Sequence, residues 1–119
     1  MNITPKTHTV ADKKYAIVSI PAHVDEHNLH EFHTTVEPLF ESDHVYLVFD
    51  LGELDFINSK IIGYLENIHR QLSGIEKRLA FVNAAEEVRE ILEFVGLNKV
   101  APSFDAEEKF VEAMQRGEI

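Results

Sequence analysis

The chain has 119 residues, 45% hydrophobic and 27% charged, a balance that fits one ordinary globular domain over residues 1–119 and excludes a disordered chain. Eleven Lys and Arg stand against 21 Asp and Glu, and the net charge of −10 repels phosphate backbones and anionic membrane surfaces alike. Cysteine is absent, so disulfides, thiolate nucleophiles and Cys-based zinc sites are excluded.

The opening Met1 to Lys6 leads into polar sequence without the apolar core of a secretory leader. No apolar run reaches the roughly 18 residues that span a bilayer, and a cytoplasmic location is expected. Lys14 to Ile20 is rich in β-branched and aromatic residues and stops at Pro21, which predicts a strand. Thr7 to Val10 predicts a short partner strand, joined through a turn near Asp12 and Lys13. From Asn28 the period changes. Leu29, Phe32, Val36, Leu39 and Phe40 share one helical face, with Asn28 as the expected cap and Pro38 bending or shortening the last turn. Val45 to Phe49 is a continuous apolar run, the pattern of a central strand covered on both faces.

Asp50 to Asp55 forms the next connection. Ile61, Leu65, Ile68 and Leu72 then mark an amphipathic helix that ends at Gly74, the expected C′ glycine. Arg78 to Val82 predicts another strand. Val88, Ile91, Leu92 and Val95 mark a third helix, stopped by Gly96 with Leu97 as its hydrophobic clasp. A short segment near Phe104 precedes a last helix, capped by Asp105 and carrying Phe110, Val111 and Met114, with Gln115 to Ile119 expected to fray. Strands joined through helices imply an α/β fold with largely parallel pairing.

Little in the chain announces catalysis. Five glycines are scattered singly, and neither G-x-G-x-x-G, a Walker loop nor G-x-S-x-G occurs. His23, His27, His30 and His33 crowd one stretch with Asp25, Glu26 and Glu31. They read either as a first-row metal site or as the solvated flank of the first helix, and the latter is preferred because H-E-x-x-H is absent. Asp50, Glu53 and Asp55 gather after the apolar strand, at the edge where open α/β sheets place their sites. They could hold Mg²⁺ or simply keep the sheet end solvated. Asn58-Ser59-Lys60 opens the second long helix, with Asn58 or Ser59 as its expected cap. Its start carries the positive end of the helix dipole, a suitable place for an anion, including a phosphoryl group on Ser59 itself.

Val45 to Gly63 resembles the signature of the STAS domain (sulfate transporter and anti-sigma factor antagonist). The signature is an apolar strand, Asp50, Leu51, a short acidic loop, the aromatic Phe56, then Asn58 and Ser59 where the family has Asp-Ser, and a helix. Ala22 to Asp25 stands where the family has Gly-x-x-Asp. Arg78 to Asn83, the Val88–Leu92–Gly96–Leu97 helix end, and Phe104-Asp105 with Glu107 and Glu108 continue the likeness over nearly the whole chain. The resemblance implies a four- or five-stranded mixed sheet with helices packed on one face.

It also implies a non-enzymatic anti-sigma factor antagonist, a partner-switching regulator of transcription without cofactor or metal. Its partners would be an anti-sigma serine kinase of the histidine-kinase-like ATPase superfamily and a serine phosphatase. Ser59 occupies the position of the phosphorylated serine. The expected partner surface comprises Asp25, Asp50, Glu53, Asp55, Asn58, Lys60, Gly63, Tyr64 and Asn67. The chain departs from the family at Asn58 for aspartate, Ile61 for glycine and Ala22 for glycine. The Asn58 and Ile61 departures lend weight to an alternative role as a non-phosphorylated STAS subunit of a transport, stressosome or sensory assembly.

Overall fold

The computed structural model describes residues 5–119; Met1 to Thr4, where a leader would begin, lie outside the described residues. Five strands form one sheet in chain order: β1 (Lys6–Val10), β2 (Lys13–Ser19), β3 (Tyr46–Asp50), β4 (Arg78–Val82) and β5 (Ser103–Phe104). β1 runs antiparallel to β2, and the remaining neighbours pair parallel. In the β1–β2 hairpin Val10 pairs with Lys13, leaving Ala11 and Asp12 at the turn with φ of 50° and 68°. That left-handed pair matches the twist of the strands it joins.

Four α-helices fill the connections and follow the last strand: α1 (Glu26–Val36), α2 (Ser59–Ser73), α3 (Glu86–Phe94) and α4 (Glu107–Gln115). Each parallel step moves one place in the same direction across the sheet. Right-handed crossovers then put α1, α2 and α3 on a single face. There Phe32 of α1, Leu65 and Ile68 of α2, and Val88 and Leu92 of α3 close over Phe49 and Phe81 of the sheet.

The expectation of helices on one face holds for these three and not for α4. The opposite face presents Tyr15, Ile17, Tyr46, Val48, Ala80 and Val82, all buried, and α4 covers them with Phe110 and Met114. An α-helix following the edge strand is free of the crossover rule and folds back where apolar surface remains. Phe110 meets the rings of Tyr15, Tyr46 and Phe104 at 5.0, 5.3 and 5.7 Å between centroids. The Tyr15 hydroxyl donates to Glu107 Oε2 at 2.6 Å, tying the helix start to β2. Burial first, then that hydrogen bond, push the Tyr15 phenol above its ordinary range.

Several local expectations need correction. The cap of α1 is Asp25, whose Oδ1 accepts from the Asn28 N–H at 2.8 Å, while Asn28 donates its amide to His23 O at 2.9 Å. Pro38 does cut α1 short, and a 3-10 helix Glu37–Glu41 follows. Asp105 does not cap α4; it pairs with Arg89 at 2.9 Å, and Ala106 holds the cap position without a side-chain bond. Of the four apolar markers of α3, only Val88 and Leu92 are buried. Gly96 does end α3 with φ 84°, and Leu97 is buried beneath it. The tail does not simply fray: Glu118 N–H closes on Ala113 O at 2.9 Å, and Ile119 packs partly against the second core.

Gly74 sits in ordinary right-handed backbone at the end of α2, with φ −66°. The left-handed residue there is Glu76, with φ 62°, flanked by Lys77 N–H to Leu72 O at 2.8 Å and Glu76 N–H to Ser73 O at 3.3 Å. This is a Schellman ending with a glutamate where glycine is usual. Glu76→Gly is expected to raise stability by roughly 0.5–1 kcal/mol, because the strain of a Cβ at positive φ is removed. A higher urea midpoint with an unchanged slope is the expected result. Among the described residues no helix is long and apolar enough to cross a membrane.

Candidate functional site

The parallel strands end together at one edge of the sheet. Ile20 N–H reaches Asp50 O at 3.1 Å, Leu51 N–H reaches Val82 O at 3.0 Å, and Asn83 N–H reaches Phe104 O at 3.2 Å. The starts of α1, α2 and α3 lie just beyond this edge, so the loops between them form one surface. Their amide ends give it a positive dipole.

The loop after β3 is fixed from below. Leu51, Leu54 and Ile57 are buried, whereas Glu53, Asp55 and Phe56 face outward. Asp50 Oδ1 accepts from the Gly52 N–H at 2.9 Å, so its carboxylate braces the turn. A Cβ on Gly52 would sit 3.0 Å from that oxygen and 3.4 Å from Asn83 Cβ, so a side chain there would crowd the brace. Phe56 is 61% exposed, an unusual place for an aromatic ring.

Asn58 caps α2: its Oδ1 accepts from the Ile61 N–H at 2.9 Å. Ser59 is the first residue of the helix and is exposed. Ile61, which stands where the family's pattern has glycine, is buried in the first core, so its side chain fills the interior. Asn58→Ala is expected to cost about 0.5–2 kcal/mol through the lost cap, and Asn58→Asp to cost nothing. Thermal unfolding of the two variants beside the parent checks this.

Ala22, His23, Val24, Asp25, Phe56, Asn58 and Ile61 surround a cleft of about 170 Å³ between the α1 and α2 starts. Two expected site residues, Asp25 and Asn58, therefore share one hollow, with Phe56 on its wall. Further along, Tyr64 and Asn67 of α2 line a groove of about 300 Å³ with Leu29, His30 and His33 of α1. The Tyr64 hydroxyl lies 2.9 Å from His33 Nδ1, and burial pushes its phenol above the ordinary range. Gly63 opens onto free space, and Lys60 is exposed beside Ser59.

The metal alternatives are not supported by the side-chain positions. Among the described residues no three His, Asp or Glu side chains converge on a point that could hold an ion. The histidines disperse instead: His27 Nε2 lies 2.8 Å from Glu31 Oε1, His33 meets Tyr64, and His23 lines the cleft. The site residues that sequence reasoning missed are Phe56 and His33. Phe56 was legible as the aromatic of the motif, but its exposure depends on the loop's path. His33 was legible only as part of a histidine-rich flank.

The STAS domain family matches residues 4–110, and the chain belongs to that family. No curated protein sequence matches it. Among solved structures it is similar to an anti-sigma-factor antagonist (STAS) domain protein from Planctomyces limnophilus, with 16% identity, 93% of this chain and 97% of that chain covered, and a TM-score of 0.74. It is similar to the anti-sigma factor antagonist SpoIIAA of Bacillus in its unphosphorylated form, with 18% identity, 96% and 97% coverage and a TM-score of 0.69. It is also similar to a serine-to-glutamate variant of RsbS from Moorella thermoacetica, with 16% identity, 94% and 97% coverage and a TM-score of 0.70. These likenesses establish the five-stranded mixed α/β sheet as the STAS fold.

Proposed function

We propose that this chain is an anti-sigma factor antagonist, a partner-switching regulator of transcription controlled by phosphorylation of Ser59. The observation that carries the reading is the position of Ser59: exposed, first in α2, beside the Asn58 cap, at the edge where the starts of α1, α2 and α3 gather. A serine held there is open to a kinase and stands in the middle of any surface docked on that edge. SpoIIAA, whose fold this chain shares, has been solved in a phosphorylated form as well as an unphosphorylated one.

In this reading residues 1–119 act as one domain, in the cytoplasm, without catalysis of their own. The partner is a serine kinase of the histidine-kinase-like ATPase superfamily that otherwise holds a sigma factor, and a serine phosphatase resets the switch. The partner surface comprises the Asp50–Asp55 loop, Asp25, Asn58, Lys60, Gly63, Tyr64 and Asn67, with Phe56 added as its exposed aromatic anchor. Aromatic rings on a rim of polar groups are the usual centres of binding energy.

Mass spectrometry of the protein from its native cells is expected to find one phosphate, on Ser59. The co-encoded serine kinase is expected to bind the unmodified chain and to release it when ATP is supplied. An unmodified chain that binds no kinase would overturn the reading. The second reading, a non-phosphorylated subunit of a transport, stressosome or sensory assembly, is favoured by Asn58 and the buried Ile61. Recovery of the chain in a complex with a permease or a stressosome scaffold would support it.

A further inference from the structure

α3 wears apolar residues on the wrong side. Val88 and Leu92 fill its core-facing stripe, yet Ile91, Phe94 and Val95 are 37%, 89% and 36% exposed. At 100° per residue these three lie within one arc of about 100° beside the buried stripe, shared toward the helix start by Glu87. Their i, i+3, i+4 spacing is that of a ridge that packs against another helix. Phe94 stands almost wholly in solvent, and among the described residues none of the three belongs to either hydrophobic core.

The surroundings of the arc say what fits there. Glu86, Glu87, Glu90 and Glu93 are all exposed on the same short helix. Its single cation, Arg89, is turned away to Asp105 at 2.9 Å. A second copy of the chain would bring glutamates against glutamates, and a nucleic acid or anionic membrane would meet the same repulsion. We infer that the outer face of α3 is a docking surface for a basic amphipathic helix of a partner protein, with Ile91, Phe94 and Val95 taking its apolar stripe and the glutamates its Lys and Arg flanks. α3 is about 14 Å long, enough to seat two to three turns of such a helix. The surface does not include Ser59, so it holds its occupant in either phosphorylation state.

The test is a titration of the isotope-labelled full chain, followed by NMR, with three synthetic 14-residue peptides. One is an amphipathic Leu/Lys helix, the second has the same composition with the apolar stripe scrambled, and the third is the Leu/Glu counterpart. The Leu/Lys helix is expected to shift residues 86–95 saturably, and the other two to bind at least tenfold more weakly. Phe94→Ser, at a position that carries no core packing, is expected to weaken the Leu/Lys helix at least tenfold, and Glu90→Lys to weaken it further. Ser59→Asp is expected to leave this binding unchanged, which separates it from the kinase interaction. Shifts spread over the whole acidic surface and indifferent to Phe94→Ser would mean charge adsorption and overturn the inference. Concentration-dependent shifts at the same residues without peptide would assign the face to a second copy and overturn it equally.

Discussion

Ser59→Asp is expected to weaken binding of the serine kinase at least a hundredfold while leaving the melting temperature of the chain near that of the parent. The two halves have separate causes. A negative charge at the start of α2 meets the positive end of the helix dipole, a favourable contact of roughly 0.3–1 kcal/mol where exposed. Asn58 is uncharged and adds no repulsion. Lys60 supplies a cation nearby. The fold therefore tolerates the charge. At a docked interface the same charge must shed water without an assured partner, which costs several kcal/mol, and about 2.7 kcal/mol already corresponds to a hundredfold in affinity. Ser59→Ala is expected to bind and to remain bound when ATP is added. Calorimetric titration of both variants and of the authentic phosphoprotein decides the matter. Equal affinity of the phosphoprotein and the parent would reduce Ser59 to the opening residue of a helix.

Phe110→Ala is expected to be the most damaging single change on the second face of the sheet, at about 3–5 kcal/mol and a fall in Tm of more than about 10 °C. Phe110 is fully buried and its ring touches those of Tyr15, Tyr46 and Phe104. Truncation leaves a cavity bounded by three aromatic rings that cannot all collapse into it. Urea denaturation measures the loss, and binding of an apolar dye is expected to rise as α4 loosens. A cost under about 1 kcal/mol would mean that Glu107 and Met114, not Phe110, hold the helix in place.

The sequence made some parts of this molecule plain and hid others for reasons that can be named. α2 was legible because Ile61, Leu65, Ile68 and Leu72 form one stripe, and all four are buried. β3 was legible because its unbroken apolar run needs cover on both faces, and the run lies at the middle of the sheet. The start of α1 was misread because Asp25 and Asn28 are both good caps; the bond between them runs from the Asn28 N–H to the Asp25 carboxylate, and residue type alone does not say which end is which. The face taken by α4 was hidden because it depends on the hand of three crossovers and on the surface they leave bare. Within the candidate site, the start of α2 followed from local chemistry, but Asn58 and Ser59 are both good caps, and only the structure shows that Asn58 holds that place and Ser59 opens the helix. The exposure of Phe56 and the meeting of His33 with Tyr64 arise from segments brought together only by the fold.

The order of the strands has a consequence for synthesis. Because each strand pairs with the one made just before it, the first core can assemble stepwise while the chain is still growing, each parallel pair closing once its crossover helix has been made. The second core cannot. Tyr15, Ile17, Tyr46 and Val48 are made early, and the helix that covers them is not complete until residues 107–115 have been added. In that interval a growing chain displays an uncovered apolar sheet face to its surroundings, and the bond between Tyr15 and Glu107, 92 positions apart, is among the last to close.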